Sequence, residues 1–180
     1  MTNDEQTLED KAHNRTQRPQ GKVFRQYIGE DWGERPPGPE RMKVADYTPA
    51  RHKVLSDLFP GERLVIPAGD LKVRSNDTDY RFRAHSAFAH LTGLGGEDEP
   101  GAVLVLNPVD DGHEATLYFH PRAPRSSQEF YADARHGEFW VGARLSAEEM
   151  QTATGLKVAH IDGMKDAISK DLGEVQISVI

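Results

Sequence analysis

Apolar side chains are sparse at the start of this chain and concentrated in a few short runs after it. Residues 1–20 are polar and nearly free of large apolar side chains, so we expect them to lack a stable packed structure. Apolar residues recur at helical spacing in residues 23–32, which predicts a short helix that packs on another part of the chain. Three prolines and a glycine in residues 34–40 then favour an extended linker.

The first helix of the compact region is predicted over residues 49–59. Thr48 is its candidate N-cap, and a Pro-Gly pair directly after the pattern ends it. Val54, Leu55 and Leu58 recur at helical spacing, so we expect these three side chains to form the buried face of the helix.

Short apolar runs between turn signals predict the strands. Residues 63–69 are typical of a buried strand, and the near-continuous apolar run of residues 101–108 predicts a strand that is buried on both faces. An Asp-Asp-Gly turn signal separates this run from another in residues 115–120. The two runs should therefore pair as a hairpin at the centre of the sheet.

The last third of the chain alternates helix and strand patterns. Helices are predicted over residues 126–133, 146–152 and 162–172, and a strand is predicted over residues 156–161. Residues 175–180 form either a final strand or a connection, and the aromatic residues 139–141 are typical of a loop. Strands that alternate with helices, together with the central hairpin, predict an α/β fold with a mixed β-sheet flanked by helices.

Composition narrows the functional classes. The chain has 22 Lys and Arg against 29 Asp and Glu, and its net charge of −7 gives no reason to expect binding to nucleic acid or to a membrane surface. The chain has no cysteine, which excludes disulfides, thiolate zinc sites and a cysteine nucleophile. No segment has 18 consecutive apolar residues, and no apolar leader is present, so we expect a soluble cytoplasmic protein.

The densest charge cluster of the chain alternates with aromatic rings. Charges beside apolar rings tolerate burial only when they are paired and hydrogen-bonded, so we expect a partly buried network of ion pairs here. Its members are Arg74, Asp77, Asp79, Arg81 and Arg83.

A short helix is predicted directly after this charge cluster, over residues 87–92. Ser86 is its candidate N-cap, and Gly93 stands where a residue in the left-handed conformation would end it. We expect this helix to turn the chain from the charge cluster towards the central hairpin.

The sequence predicts no catalytic metal site. A dimetal hydrolase needs several carboxylates and at least one His close together, and the arginines beside Asp77 and Asp79 would neutralise these two carboxylates. The histidines lack a second ligand at helical or strand spacing. The sequence contains neither a Gly-x-Ser-x-Gly elbow nor a Walker loop, so it carries no recognisable catalytic motif.

Three segments together resemble a known family. They are RSNDTDYRFRAHSAFAHLTG, EPGAVLVLNP and FWVGARLS, and their order and spacing are similar to those in the amino-terminal domain of bacterial Xaa-Pro aminopeptidases, in the creatinase/prolidase group. The resemblance implies a mixed-sheet α/β domain with a ribonuclease-H-like layout. It divides the chain into a polar extension with a Pro-rich linker over residues 1–47 and this domain over residues 48–180.

The resemblance also implies what the parent protein does. Members of this family remove the amino-terminal residue ahead of proline, and a separate carboxy-terminal domain binds two divalent metal ions, which we expect to be manganese. We expect the present chain, without that catalytic domain, to be inactive alone. Its expected partners are its own catalytic domain, neighbouring subunits of a homo-oligomer and proline-containing peptides.

A second hypothesis remains open beside this one. The chain could instead be a free-standing binding or assembly module without peptidase activity. The reading frame after Ile180 discriminates between the two, because only the first hypothesis requires a following domain that carries the metal ligands.

Two residues acquire candidate roles through the resemblance. Asp77 matches an aspartate near the mouth of the catalytic cleft, and Trp140 matches a tryptophan that reaches a neighbouring subunit. A large flat ring before a glycine suits a substrate wall or an interface anchor, with plain packing as the alternative for Trp140. For Asp77 the alternative is an ion pair with Arg74 or Arg83.

Overall fold

The computed structural model describes residues 21–76, 78–96 and 98–180. The described residues divide into two compact units, and we refer to them by what holds each together. The aromatic unit comprises residues 21–37 and 122–146, and the sheet unit comprises the described parts of residues 38–121 and 147–180.

Helices form in each region where the sequence pattern predicts one, although their bounds differ by a few residues. They are α1 (Lys22–Gly29), α2 (Thr48–Leu58), α3 (Ser86–Thr92), α4 (Gln128–Ala132), α5 (Glu138–Val141), α6 (Ala147–Thr154) and α7 (Met164–Ser169), with 3₁₀ turns at Lys43–Asp46 and Ile161–Gly163. Across the described ranges, no helix has the length and apolar character needed to cross a bilayer.

Five strands of the sheet unit form one mixed sheet. The strands are β1 (Arg63–Pro67), β4 (Val103–Val109), β5 (Gly112–Phe119), β6 (Lys157–His160) and β7 (Ile177–Val179), and β2 (Val73–Ser75) pairs separately with β3 (Thr78–Asp79). The sheet order is β6-β5-β4-β1-β7, in which the β5–β6 and β1–β7 pairs are parallel and the two central pairs are antiparallel. The predicted mixed α/β fold and central hairpin are therefore confirmed.

Both faces of the central strand β4 are buried, as its apolar run predicts. Val103 and Val105 pack with Tyr118 on one face, where apolar residues of α7 cover them. Leu104 and Leu106 point to the opposite face by the alternation of a strand, and both are completely buried. Consecutive apolar residues of β4 therefore contribute to the core on both faces of the sheet.

The predicted buried face of α2 is wrong for Val54 and Leu58, whereas Leu55 is half-buried. Val54 is 58% exposed and Leu58 is 65% exposed. The predicted cap is also wrong, because the N-cap residue is Tyr47 and the buried Thr48 hydroxyl donates backwards to the Ala45 carbonyl, at 3.2 Å.

A polar stripe explains which face of α2 is buried. Thr48, His52 and Ser56 recur every four residues and are buried or half-buried. The His52 ring nitrogen Nε2 lies 2.8 Å from the Leu91 carbonyl oxygen, and the Ser56 hydroxyl lies 3.0 Å from Nδ1 of His113. Hydrogen bonds satisfy these inward polar groups, so the helix buries them and leaves apolar side chains in solvent.

Gly93 ends α3 as predicted. It has a φ of 82°, and a Cβ atom at this position would lie 2.3 Å from Cγ1 of Val44, so both the backbone conformation and the space require glycine. The predicted N-cap is wrong by one residue: the cap is His85, and Ser86 is the first residue of the helix.

A buried arginine joins three parts of the sheet unit, and the sequence analysis did not single it out. Arg63, in β1, is 4% exposed and binds the Asp171 carboxylate through both terminal nitrogens, at 2.5 and 3.0 Å. It also donates to the Asn107 side-chain oxygen in β4 and to the Ile168 carbonyl in α7. The hydrogen bonds from Arg63 hold the pKa of Asp171 below its ordinary value.

Edge-to-face ring contacts hold the aromatic unit together. The Trp32 ring lies 5.2 Å from that of Phe130 and 6.4 Å from that of Phe139, and both pairs are nearly perpendicular. Phe24 of α1 makes a similar contact with Tyr131 of α4, at 5.2 Å. The predicted helix of residues 23–32 therefore packs on the chain as expected, through its aromatic side chains.

Candidate functional site

The predicted charge cluster lies on the surface. Arg74, Asp79, Arg81 and Arg83 are all exposed, so the prediction of partial burial is wrong for them. The reason is that β2 and β3 form a two-stranded ladder apart from the five-stranded sheet, which leaves their side chains little cover. Asp77 lies outside the described residues, and the ion pairing of the cluster stays a prediction.

Trp140 lies on α5, a single helical turn of four residues between Gly137 and Gly142. The prediction of a loop at residues 139–141 is therefore wrong. Short aromatic runs carry no helical periodicity, so the sequence pattern could not indicate this turn. Gly142 follows it with a φ of 86°, a conformation that ends the helix without the steric cost a side chain would incur.

The start of α5 is closely packed against α4. A Cβ atom at Gly137 would lie 2.5 Å from the carbonyl oxygens of Asp133 and Glu129 and 2.6 Å from that of Phe130. Backbone oxygens cannot yield as the tip of a flexible side chain does, so only glycine fits at this position. The close approach fixes where the Trp140 helix begins.

The Trp140 ring is largely exposed to solvent, although its indole N–H is hydrogen-bonded to the chain. The side chain is 61% exposed, while its indole Nε1–H donates to the Tyr131 carbonyl at 2.7 Å. The Phe139 ring lies 5.7 Å away, and Phe139 and Val141 are each about half exposed. Phe139 and Trp140 are in contact, and Val141 follows them in the chain; we call these three partly exposed side chains the exposed patch, whose indole N–H is hydrogen-bonded.

A buried carboxylate anchors the same helix. The Glu138 side chain is 6% exposed, and its two oxygens accept hydrogen bonds from the Arg35 guanidinium at 2.7 and 2.5 Å. One of these oxygens also accepts from the Arg144 backbone N–H, at 2.9 Å. Burial alone would raise the pKa of Glu138, but the hydrogen bonds from Arg35 and Arg144 hold that pKa below its ordinary value.

The turn before α5 contains a second shifted carboxylate. Asp133 accepts hydrogen bonds from the backbone N–H groups of Arg135 and His136, at 2.7 and 2.9 Å. Burial favours a higher pKa for Asp133, but these bonds and the His136 ring keep the pKa below its ordinary value. Both carboxylates are therefore ionised supports for the turn rather than proton donors at neutral pH.

The candidate site consists of aromatic rings and charged hydrogen bonds. Within the described ranges, no three His, Asp or Glu side chains are grouped so that they could hold a metal ion. The His120 and His160 rings lie with their centroids 5.0 Å apart, and His160 Nδ1 lies 3.3 Å from Asp162 Oδ2. What the site offers is an exposed aromatic patch on a turn fixed by charged hydrogen bonds.

Sequence reasoning found Trp140 but missed the residues that hold it. Arg35 and Glu138 are 103 positions apart in the chain, and no local pattern connects them. One signal was available: the segment GEFWVG encloses two aromatic rings between glycines, which is unusual for a featureless loop.

Comparison with known proteins decides the family. Residues 47–180 match the family model of the aminopeptidase P N-terminal domain, which covers most of the chain. The chain belongs to this family. Trp140 and its helix lie within the aminopeptidase P N-terminal domain match, whereas Arg35 and Trp32 precede it.

Several curated relatives are similar to this aminopeptidase P N-terminal domain. Xaa-Pro aminopeptidase 1 of Streptomyces coelicolor is 45% identical over 138 residues, which is 77% of this chain and 27% of the relative. Xaa-Pro aminopeptidase of Escherichia coli is 29% identical over 106 residues, which is 59% of this chain and 21% of the relative. The chain thus spans about a quarter of the length of the curated relatives it matches.

Solved structures lead to the same family. Aminopeptidase P from Escherichia coli in its low-pH form matches with a TM-score of 0.56 and 26% identity, covering 70% of this chain and 26% of that one. Proline aminopeptidase P II from Yersinia pestis matches with a TM-score of 0.54 and 26% identity, covering 71% of this chain and 26% of that one. The mixed-sheet fold is therefore shared with aminopeptidase P.

Proposed function

We propose that this chain is the non-catalytic amino-terminal domain of a metal-dependent Xaa-Pro aminopeptidase, and that it shapes the active-site entrance and the contacts between subunits. The family membership supports this proposal, as do relatives that are named Xaa-Pro aminopeptidases, of which the match covers only 27%. The proposed partners are the catalytic domain, neighbouring subunits of a homo-oligomer and proline-containing peptides. The proposed location is the cytoplasm.

The metal ions of the proposed reaction belong to the catalytic domain. We assign two divalent ions there, manganese by expectation, because membership of the aminopeptidase P family implies them. Within the chain, the proposed boundary lies between a polar extension over residues 1–47 and the domain over residues 48–180.

The exposed patch around Trp140 carries the proposal. A large ring with 61% of its surface in solvent and its polar atom hydrogen-bonded to the chain has only an apolar face left for a partner. Such rings are frequent anchors in protein interfaces and walls of binding clefts. We assign Trp140 to the cleft entrance or to a neighbouring subunit.

Asp77 keeps two proposed roles. It faces the cleft in one, and it pairs with Arg74 or Arg83 in the other. Both arginines are exposed, and a pair between exposed side chains contributes less than about 1 kcal/mol to stability. Replacing Asp77 with Asn should therefore leave folding nearly unchanged in either case, and any large loss of peptidase activity would favour the cleft role.

The proposal predicts that the 180-residue chain alone does not hydrolyse Xaa-Pro peptides in the presence of manganese. Clear turnover by this chain would overturn the proposal. The second test uses the longer protein that the proposal requires. If Trp140 lines the cleft entrance, Trp140→Ala should lower kcat/KM by about 30-fold or more, as hot-spot truncations do. If Trp140 anchors a neighbouring subunit, the substitution should raise the dissociation constant of the oligomer by a similar factor, which light scattering measures.

Tyr47→Ala is the matched control for that experiment. Tyr47 is 65% exposed, close to the 61% of Trp140, but it belongs to the sheet unit and not to the patch. It should change neither kcat/KM nor the light-scattering mass. Equal effects of the two substitutions would contradict the role of Trp140, and a reading frame that stops after Ile180 would favour the free-standing module.

A further inference from the structure

The segment of residues 22–37 precedes the family match, which begins at residue 47, yet it belongs to the same compact unit as residues 122–146. We propose that residues 22–37 are a clamp that fixes the orientation of helix α5 and of the Trp140 ring, with Arg35 as the positioning residue. The functional meaning of the clamp rests on the proposed role of Trp140.

Arg35 makes the first contact of the clamp. Its two parallel hydrogen bonds to Glu138 fix both the distance and the plane of the carboxylate, which a single point charge would not do. Glu138 is the first residue of α5 and stands two positions before Trp140. Any displacement of Glu138 therefore displaces the tryptophan.

Trp32 makes the second contact. Its ring packs edge-on against Phe139, the residue next to Trp140. The Arg125 guanidinium lies 5.5 Å from the centre of the Trp32 ring, and its Nη1 donates to the Gly33 carbonyl at 3.0 Å. A cation over the ring and a hydrogen bond to the adjacent backbone hold Trp32 in place.

Helix α1 makes the third contact, through Tyr131. Phe24 packs against the Tyr131 ring, and the Tyr131 carbonyl accepts the hydrogen bond from the Trp140 indole. The clamp thus contacts two groups that hold Trp140. One is Glu138, at the start of α5, and the other is Tyr131, whose carbonyl accepts the indole hydrogen bond.

The shortness of α5 makes outside support necessary. An isolated helix of one turn is unstable in water, because its nucleation fixes several residues for very few hydrogen bonds. The competing explanation is that the supports within residues 122–146, namely the Gly137 contact and the Arg144 N–H bond, suffice to hold it. Under that explanation, loss of Arg35 would leave Trp140 unchanged.

Hydrogen exchange of the indole N–H groups separates the two explanations. The chain has two tryptophans, so a ¹⁵N-labelled sample gives two indole signals, which Trp140→Phe assigns. We expect Arg35→Gln to speed exchange of the Trp140 indole by about tenfold or more, the change in open population that one lost charge-assisted hydrogen bond produces.

Arg25→Gln is the matched control. It removes the same charge from the same segment at an exposed position of α1, and it should leave Trp140 exchange unchanged. The amide groups of the sheet unit should keep their exchange rates in both variants, which separates a local opening from global unfolding. Equal Trp140 rates in Arg35→Gln and Arg25→Gln would overturn the clamp.

Arg35→Lys keeps the proposal testable if Arg35→Gln does not fold. Lysine retains the charge but cannot form the two parallel bonds, so the clamp predicts faster Trp140 exchange than in the unsubstituted chain. An unchanged rate in Arg35→Lys would overturn Arg35 as the positioning residue.

Different experimental outcomes would contradict the clamp and the proposed function. In the longer protein, Trp140→Ala without effect on kcat/KM or on assembly would remove the proposed function and leave the exchange result standing. Conversely, a strong Trp140→Ala effect together with unaltered Trp140 exchange in Arg35→Gln would retain the function and reject the clamp.

Discussion

The two units of this chain are stabilised in different ways. In the sheet unit, Leu64, Leu104 and Leu106 lie in adjacent strands with no exposed surface. In the aromatic unit, described residues pack mainly through ring edges, and Trp32, Phe139 and Trp140 each remain between 44% and 61% exposed. Phe130 and Tyr131 are buried there, and charged hydrogen bonds such as that between Arg35 and Glu138 add to their packing.

The two kinds of packing differ in how strictly they fix the orientation of a side chain. Apolar burial is non-directional, so it holds a unit together without fixing the orientation of any one side chain. Ring edges and charge-assisted hydrogen bonds are directional, so they can orient a chosen side chain while leaving it in solvent.

The largest effect that tests this comparison is expected in the centre of the sheet. Leu104→Ala should lower the free energy of unfolding by about 3 kcal/mol, because it removes a completely buried side chain and leaves a cavity. Leu58→Ala is the control, since Leu58 is 65% exposed, and it should change stability by less than about 0.5 kcal/mol. Urea unfolding measures both, and similar losses would contradict the observed burial.

The sequence predicted the sheet unit better than the aromatic unit, for a physical reason. The run of residues 101–108 and the Asp-Asp-Gly turn are local signals, and the hairpin that they predict is present. The buried face of α2 was wrong because Thr48, His52 and Ser56 form hydrogen bonds that a hydrophobicity pattern cannot register.

The candidate site could be predicted only in part. Trp140 was found through its family resemblance, whereas its supports come from chain positions far away and from a backbone approach at Gly137. Arg63 and Asp171 in the sheet unit were missed for the same reason, since 108 positions separate them. Contacts of this kind depend on the completed fold rather than on local periodicity.

A smaller effect is expected from closing the space at Gly137. Gly137→Ala should cost about 2 kcal/mol, because the added methyl group meets three backbone oxygens and forces α5 away from α4. Both tryptophans of the chain lie in the aromatic unit, so intrinsic fluorescence during urea unfolding reports on that unit.

Gly163→Ala is the matched control for this substitution. Gly163 has an ordinary φ of −77°, and a Cβ atom there would meet nothing within 4 Å. It should change stability by less than about 0.5 kcal/mol. A fluorescence transition that is as stable in Gly137→Ala as in Gly163→Ala would show that α5 is not fixed by this contact.

The smallest effect is a difference in pH dependence between the two units. In the sheet unit, burial lowers the pKa of His52 below 6.5, and its hydrogen bond to Leu91 only partly offsets this. The unfolded chain therefore binds the proton first, and stability should decline as the pH falls from about 6.5 towards the folded pKa of His52. The carboxyls of Glu138, Asp133 and Asp171 have lowered pKa values, so they cost stability only below about pH 4.5.

Between pH 6.5 and 5, the free energy of unfolding measured by circular dichroism in urea should thus decrease for the sheet unit. The free energy of unfolding measured by tryptophan fluorescence should change little for the aromatic unit. His52→Gln should abolish the slope seen by circular dichroism, because glutamine can donate to the Leu91 carbonyl without titrating. His90→Gln, at an exposed position of α3, should retain the slope. If the slope persists in His52→Gln, the pH sensitivity of the sheet unit has another origin, and its contrast with the aromatic unit rests on apolar burial alone.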